Sequence, residues 1–222
     1  MTIPGQESLF TLDGIMEIKP DEATAFLLPR HYSGRKPSIS KAFGWYVAGE
    51  LKAVVTFGKP VSNTLCDGVC GKELSDRVYE LNRLCRDEDF TRPLSMLVSE
   101  ALRRLKPLGW IVVSYADTAM HHKGYLYQAT NCLYTGKTKE RLEMWTGKHS
   151  RHYTQEDRES NIRRVRSAKH RYVYFCGSKS QRRAWRKALR YPVMPYPKEE
   201  NQNYRLGEYI EPVLADKREW KQ

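Results

Sequence analysis

The chain has 222 residues, 40% of them hydrophobic, and a formal net charge of +12. This length and composition predict one α/β domain with extensions, and they exclude a chain that is disordered throughout. No run of about 18 apolar residues occurs, the first residues do not resemble a signal peptide, and the five cysteines are irregularly spaced, so we expect a cytoplasmic protein with reduced thiols and no membrane segment.

The first part of the chain is predicted to contain strands and one helix. Met16 to Lys19 has the pattern of a short strand, and Pro20 to Leu28 that of a helix with acidic residues in its first turn. Phe43 to Ala48 and Leu51 to Phe57 are aromatic and β-branched runs separated by Gly49-Glu50, which predicts a hairpin. Val78 to Leu84 is predicted to be a further strand.

The strongest helical pattern follows in the middle of the chain. Arg92 to Leu105 has apolar residues at helical spacing, with a proline at its start and a glycine beyond its end. Next, Trp110 to Ser114 predicts a buried strand, Lys123 to Ala129 a helix, and Cys132 to Trp145 a hairpin. The central region is therefore predicted to alternate strands and helices.

The last part of the chain is basic and then polar. Lys148 to Lys169 is predicted to be an exposed basic arm or helix, Arg171 to Cys176 a short strand, and Ser180 to Leu189 a basic helix. Glu199 to Gln222 is a polar tail that we expect to lack a packed structure.

The order of predicted elements resembles that of the GNAT acetyltransferase fold. We therefore predict a GNAT-like α/β fold, with a mixed central sheet flanked by helices and a basic C-terminal extension. In that fold a glycine-rich loop before the long helix binds the pyrophosphate of coenzyme A. Here residues 86–93, RDEDFTRP, contain three acids and no glycine. Standard acetyl-coenzyme A binding is therefore not expected.

The junction from Ser114 to Asn131 carries several groups that could do chemistry. It places Asp117 at the carboxyl end of a predicted strand and His121 and His122 in the connection that follows, where α/β folds position catalytic groups. A structural alternative is that Asp117 only caps the helix beginning near Lys123. The histidine pair and the tyrosines of the next turn favour a catalytic site.

A second polar cluster, His31-Tyr32-Ser33-Gly34-Arg35-Lys36, lies in the loop after the first helix. Loops at this position often supply substrate contacts. Arg83, within the strand sequence ELNRL, carries a guanidinium that faces either solvent or the site. Its structural alternative is an ion pair with Glu80.

The net charge comes from one quarter of the chain. Residues 137–192 contain 17 Lys and Arg against 5 Asp and Glu, and the remainder is neutral. Basic side chains neutralise phosphates and aromatic faces stack on bases, so this mixture predicts nucleic-acid binding; a solvated helix face or a general polyanion surface is the alternative. The residues predicted to bind DNA are Arg35, Lys36, Arg163, Arg164, Arg166, Lys169, Arg171, Lys179, Arg182, Arg183, Arg186 and Lys187. The interleaved aromatic residues are Tyr172, Tyr174, Phe175, Trp185 and Tyr191.

Several segments resemble the phage Mom family, whose members modify adenines in DNA. They are HYSGRK from His31, ELNRL around Arg83, and the SYAD block with its histidine, Gly124, YLYQATN and LYTGKT. The resemblance implies a GNAT-like fold, conversion of the exocyclic amine of adenine to a carbamoylmethyl (acetamido-like) derivative, and protection of phage DNA from host restriction. It also implies two partners, double-stranded DNA and a small-molecule group donor.

The resemblance assigns roles to individual residues. Asp117 would take a proton from the adenine amine or orient it, and Arg83 would bind an anionic donor or a phosphate. Tyr32 and Tyr127 would contact a base rotated out of the duplex. The predicted catalytic residues are His31, Tyr32, Arg83, Ser114, Asp117 and Tyr127.

An iron site is a further expectation, because a simple acetyl transfer cannot supply the added carbon and nitrogen. His31, Asp117 and either His121 or His122 have the composition of a two-histidine, one-carboxylate site. The predicted metal ligands are therefore His31, Asp117, His121 and His122.

Two other functions are left open, a conventional GNAT N-acyltransferase acting on a protein or small-molecule amine, and a non-enzymatic DNA-binding factor. A homodimer is left open as well. The expected regions are a GNAT-like catalytic domain over residues 1–147, a basic DNA-binding extension over residues 148–198, and a polar tail over residues 199–222.

Overall fold

The computed structural model of the chain describes residues 13–31, 34–146, 152–198 and 211–220. Two compact units are present, the first within residues 1–112 and 175–190 and the second within residues 113–174 and 191–222. The predicted regions divided the chain at residues 147 and 198. The two compact units have other boundaries, because residues 175–190, which were assigned to the basic extension, fold with the first unit.

The first unit is built on four consecutive antiparallel strands, β1 (Gly14–Ile18), β2 (Lys41–Val47), β3 (Glu50–Gly58) and β4 (Val78–Arg86). Val54, Val55 and Phe57 of β3 are completely buried. The turn between β2 and β3 has positive φ at Ala48 (51°) and Gly49 (85°), which suits a two-residue hairpin between twisted strands. The predicted strand, hairpin and strand are therefore confirmed.

Two helices, α1 (Pro20–Leu27) and α3 (Leu94–Arg104), pack on these strands. Phe26 of α1 is buried in one core cluster with Ile18 of β1. The buried residues of α3 are Leu97, Val98, Ala101 and Leu102. These are the positions that helical spacing predicted, and burying each large aliphatic side chain stabilises the unit by roughly 1.5–3 kcal/mol.

A short helix that the sequence did not predict, α2 (Asn63–Cys70), follows β3. The Ser62 hydroxyl accepts a hydrogen bond from the Leu65 amide at 3.2 Å and caps the helix. Cys66 and Cys70 of α2 are buried, and burial raises the pKa of the Cys70 thiol to about 11. All five cysteines are buried, and none of them is in a disulfide bond.

The basic helix α6 (Lys179–Ala188) belongs to the first unit. Ser178 and Gln181 form a capping box at its start. Trp185 is buried on its inner side, with 6% exposure, and its ring centroid lies 6.1 Å from that of Phe175. Trp185 thus attaches α6 to the first unit, while the basic side chains of the helix are all exposed.

Two strands, β5 (Ile111–Asp117) and β9 (Lys169–Phe175), begin in one unit and end in the other. In the second unit β9 lies between β5 and β6 (Leu133–Lys137), and it pairs with β6 in antiparallel orientation. The helix α4 (Tyr125–Ala129) follows β5 along the chain. The predicted strand and helix of this region are confirmed.

The second unit also contains a small antiparallel sheet with the strand order β10 (Leu214–Asp216), β8 (Ile162–Arg166) and β7 (Arg141–Met144). The predicted hairpin over Cys132–Trp145 is therefore wrong. β6 pairs with β9 and β7 pairs with β8, because each strand finds its partner in a later part of the chain. Local sequence patterns do not predict pairing between strands that are distant in the chain.

The predicted basic arm, residues 148–169, contains a helix and a strand. The helix α5 (Gln155–Glu159) begins with a capping box at Thr154 and leads into β8. Of the predicted polar tail, residues 214–216 form β10, and residues 199–210 lie outside the described residues.

The α/β class, with a mixed central sheet flanked by helices, is confirmed. From β1 to β6 the elements follow the predicted order, with α2 inserted between β3 and β4. In the part of the chain that the structure describes, no helix has the length and apolar character needed to cross a bilayer.

Replacing Trp185 with alanine should lower the free energy of unfolding by about 3–5 kcal/mol, because the change removes the buried side chain that holds α6. Val61→Ala is the control, since Val61 is fully exposed (101%) and its truncation should change stability by less than about 0.5 kcal/mol. Urea unfolding followed by circular dichroism measures both variants. If the Trp185→Ala variant is as stable as the wild-type protein, Trp185 does not anchor α6.

Candidate active site

β4 contains a bulge beside Arg83. Thr56 lies opposite Arg83 and Phe57 lies opposite Leu81, which leaves Asn82 without an opposing residue. Arg83 Nη1 donates to the Asn82 carbonyl at 2.6 Å. A bulge interrupts the regular alternation of side chains, and bulges are common beside functional sites.

Two side-chain hydrogen bonds join Arg30 and Ser38 to the region of this bulge and of the end of β4. At the start of the loop of residues 30–38, Arg30 Nε donates to Asp87 Oδ1 at 2.6 Å. At its end, Asn82 Nδ2 donates to the Ser38 carbonyl at 2.8 Å. Arg30 and Ser38 are therefore each held by one side-chain bond within the first unit.

The predicted residues His31, Arg35 and Lys36 lie on this loop. His31 is half-buried at the end of α1, whereas Arg35 and Lys36 are exposed. Tyr32 lies outside the described residues. His31 directly follows Arg30, which is bonded to Asp87 just after β4.

The acidic loop between β4 and α3 is neutralised from within the first unit. Lys52 Nζ lies 2.9 Å from Asp89 Oδ2 and 3.9 Å from Asp87 Oδ2, and Arg30 pairs with Asp87 at 2.6 Å. A pyrophosphate group bound here would meet carboxylates, and residues 86–93 offer no glycine amides to hold it.

Asp117 ends β5 in the second unit, and its carboxylate is closely surrounded. Lys169 Nζ lies 2.6 Å from Oδ2, while the Ser167 hydroxyl and the Ala119 amide donate to Oδ1 at 2.5 Å and 3.0 Å. The bond from Ala119 caps a 3₁₀ turn at Thr118–Met120. Asp117 is therefore a cap, as the structural alternative proposed, although it caps this turn and not the helix near Lys123, and it is also one partner of an ion pair.

The surroundings of Asp117 fix its charge. Burial opposes ionisation, but the Lys169 ammonium and the Ser167 hydroxyl outweigh burial and lower the pKa of the Asp117 carboxyl. Burial also lowers the pKa of His122, in spite of the nearby negative charge of Asp117. The site thus combines an ionised carboxylate with a neutral imidazole near pH 7.

The connection from Asp117 to α4 is fixed by β9 and the residues before it. Thr118 donates from its amide and its hydroxyl to the Ala168 carbonyl, at 3.2 Å and 2.7 Å. The Tyr172 hydroxyl donates to the Lys123 carbonyl at 2.5 Å. Gly124 has φ of +76°, and a Cβ there would lie 2.4 Å from the Tyr172 ring, so both its backbone and the close ring require glycine.

Tyr127, on α4, packs against the same tyrosine. The centroids of the Tyr127 and Tyr172 rings are 5.2 Å apart, and Tyr172 is completely buried. Ser114 is also buried, within β5. The second unit therefore places Asp117 and His122 in the connection before α4 and Tyr127 on α4. Residues of β9 contact Asp117 and Tyr127.

The prediction that the interleaved aromatic residues stack on bases is wrong for three of them. Tyr172, Phe175 and Trp185 are buried. Each packs against another aromatic ring of its own unit. Their role is to support α4 and α6, and this explains why aromatic residues alternate with basic ones in this segment.

The predicted iron site finds no support among the described residues. In those ranges no group of three or more His, Cys, Asp or Glu side chains could hold a metal ion. Both oxygens of Asp117 already accept hydrogen bonds, from Lys169 on one side and Ser167 on the other. The residues present do not fit a two-histidine, one-carboxylate centre.

Three of the predicted DNA-binding residues have structural contacts instead. Arg163 is buried and donates to the carbonyls of Ser160, Ile162 and Arg158. Lys169 pairs with Asp117. Arg171 donates to Thr135 and lies over the Tyr191 ring, 3.3 Å from its centroid.

The basic residues of α6 are available to a partner. The exposed ones are Lys179, Arg182, Arg183, Arg186 and Lys187. Since successive residues turn by about 100°, Arg183 and Lys187 lie on the side of the helix opposite Trp185. Among the described residues, no carboxylate forms an ion pair with these side chains.

A family model described as the Mom protein family matches residues 14–198 of the chain. This range includes the bulge of β4, the Asp117 connection and α6. No curated protein matches the chain in sequence at a significant level.

Solved structures of acetyltransferases are similar to the chain at low identity. The ribosomal-protein-S18-alanine N-acetyltransferase from Escherichia coli is 10% identical with a TM-score of 0.45, covering 75% of this chain and 96% of that one. An N-acetyltransferase from Staphylococcus aureus Mu50 is 12% identical with a TM-score of 0.46, covering 74% and 99%. A GNAT family acetyltransferase from Streptococcus pneumoniae is 11% identical with a TM-score of 0.44, covering 72% and 97%. TM-scores of this size carry no argument about activity or cofactor.

Lys169→Met should raise the pKa of Asp117, because the substitution removes the ammonium that favours the charged carboxylate. Carbon-13 NMR of aspartate carboxyl groups measures this pKa in both proteins, and an unchanged value would contradict the assigned pairing. Lys139→Met, at an exposed position of the same unit, is the control.

The same ion pair predicts a pH dependence of stability. The pKa of Asp117 is lower in the folded protein than in the unfolded chain, so the pair stabilises the protein above about pH 4 and this contribution is lost as the pH falls through the folded pKa. At pH 7, Lys169→Met should therefore be less stable than wild type by about 1–3 kcal/mol, and the difference should shrink below pH 4. If the difference in stability between wild type and Lys169→Met does not depend on pH, the ion pair between Asp117 and Lys169 does not cause it.

Proposed function

The chain belongs to the Mom protein family, and from this premise we propose that it is a phage DNA-modification enzyme that converts the exocyclic amine of adenine to a carbamoylmethyl derivative. The modified DNA would resist host restriction enzymes. The observation that carries the proposal is the family match over residues 14–198, which includes residues of both units. The surroundings of Asp117 and the exposed charge of α6 support it.

We assign Asp117 the task of holding the adenine amine. In the reaction a bond forms between the amine nitrogen and a carbon of the donor, and the bond from that carbon to the rest of the donor breaks. The rest of the donor departs with the electron pair of that bond, and the proton lost by the nitrogen passes to it or to water. The ionised Asp117 carboxylate accepts a hydrogen bond from that amine and orients its lone pair toward the donor. Because Lys169 lowers the pKa of Asp117, the carboxylate is a weak base, so orientation is its main contribution.

Arg83 would bind an anionic donor or a phosphate. A guanidinium binds a carboxylate or phosphate through two parallel hydrogen bonds. Arg83 lies beside a bulge that interrupts the regular alternation of side chains between the two faces of β4. Tyr127 would contact the adenine. The base must leave the duplex to react, since its amine is otherwise engaged in pairing.

The helix α6 would bind the DNA backbone. Its basic side chains are exposed, and the helix is attached through Trp185 on the opposite side. Cations on one face of a helix displace counterions from phosphates, which gives affinity without sequence preference. This contact would keep the enzyme on DNA.

Plasmid DNA from bacteria expressing the chain should resist restriction enzymes whose recognition sites contain adenine, and Asp117→Asn should abolish this resistance. Asparagine still accepts hydrogen bonds from Ser167 and Ala119, so the cap is retained while the charge is lost. Asp76→Asn, at an exposed position, is the matched control and should protect like wild type. Equal protection by both variants would exclude the assigned role of Asp117.

Arg182→Ala combined with Arg183→Ala should weaken binding to duplex DNA and reduce the slope of log affinity against log salt by up to about 1.8, since each lost phosphate contact removes about 0.9. The control pair is Arg103→Ala with Arg104→Ala, two exposed arginines of α3 that pair with Glu100. Fluorescence anisotropy at several salt concentrations measures both pairs. Equal slopes for the two pairs would contradict the role of α6.

A further inference from the structure

One face of the small sheet in the second unit is exposed and rich in arginine. Side chains of a strand alternate between two faces, so Arg141 and Glu143 of β7 share a face, and the paired residues Arg166 and Arg164 of β8 share that same face. Arg141 and Arg166 are exposed.

The opposite face of this sheet is covered. It carries Arg163, which is 7% exposed and bonded to backbone carbonyls, and Val165, which is half-buried. The arginine-rich face is therefore the outer one. Exposed apolar side chains lie on it as well, namely Ile162 (49%) and Leu214 (49%).

Arg141 and Arg166 lie directly opposite each other in the antiparallel pair. Side chains in such positions have Cβ atoms about 4.5–5.5 Å apart, and like charges there are destabilising. In the described parts of the chain, neither arginine forms an ion pair with a carboxylate. An anion between the two guanidinium groups would relieve this repulsion.

An aromatic ring lies at the end of the same face. Trp145 follows β7 and is 39% exposed, and the guanidinium carbon of Arg164 lies 5.0 Å from its ring centroid. Arg164 is also near Glu143, with 3.7 Å between Nε and Oε1. The arginine thus holds the indole at the surface, where an exposed ring can stack with a flat ligand.

We propose that this face binds a segment of single-stranded DNA. Arg141 and Arg166 bind a backbone phosphate between them, and Trp145 stacks on an adjacent base. Only an unpaired base offers a free face, because both faces of a base within a duplex are covered by its neighbours. The inference rests on the proposed function in taking DNA as the substrate, and it adds that unpaired nucleotides are held beside the modified one.

The test is the affinity of the full chain for a short oligothymidylate at several salt concentrations. Arg141→Gln with Arg166→Gln should reduce the log–log salt slope by up to about 1.4, since each phosphate contact to a single strand contributes about 0.7. Trp145→Ala should raise the Kd about 5- to 150-fold, the equivalent of about 1–3 kcal/mol for one stacked base, and leave the salt slope unchanged. Trp145→Phe retains an aromatic face and should lose less affinity than Trp145→Ala.

The control is Arg103→Gln with Arg104→Gln, which removes the same charge from α3 and should leave the slope nearly unchanged. Thermal unfolding of each variant verifies that it is folded. Unchanged affinity in the Trp145 and Arg141/Arg166 variants would overturn the inference, and so would an equal loss of affinity for duplex DNA. If wild type protects plasmid DNA while these variants bind the oligonucleotide normally, the inference fails alone; if wild type neither protects nor binds DNA, the proposed function fails with it.

Discussion

The ion pair between Asp117 and Lys169 determines what the connection after β5 can do. A carboxylate with 14% exposure is costly to ionise unless a cation and hydrogen bonds compensate for the lost water. Lys169, Ser167 and the Ala119 amide supply that compensation. The result is a carboxylate at the end of a strand whose pKa is lowered, so that it is ionised near pH 7.

The support for this charge comes from one short segment of the chain. Ser167 and Lys169 fix Asp117, Ala168 holds Thr118, and Tyr172 holds Lys123. Catalytic groups need to be held within fractions of an ångström, and packing by a strand achieves this better than a free loop. In the first unit, Arg30 is bonded to Asp87 just after β4, and Ser38 is bonded to Asn82 of β4.

The sequence predicted much of this arrangement and missed what depends on distant partners. Helical spacing identified α3, and the apolar run before Asp117 identified β5, because each pattern is local. Lys169 was expected to bind DNA, but it pairs with Asp117, 52 positions earlier. A pairing over that distance cannot be predicted from the local sequence pattern. The same reason accounts for the wrong hairpin at β6 and β7. The helix α2 was missed because it is short and contains Gly68.

The most direct test of the account is mass spectrometry of nucleosides from the DNA of bacteria that express the chain. We expect a new deoxyadenosine species heavier by one C2H3NO group, present with wild type and absent with Asp117→Asn. A nucleoside profile identical to that of cells without the protein, from chain that is folded and bound to DNA, would contradict an adenine-modifying activity and leave a DNA-binding factor as the function.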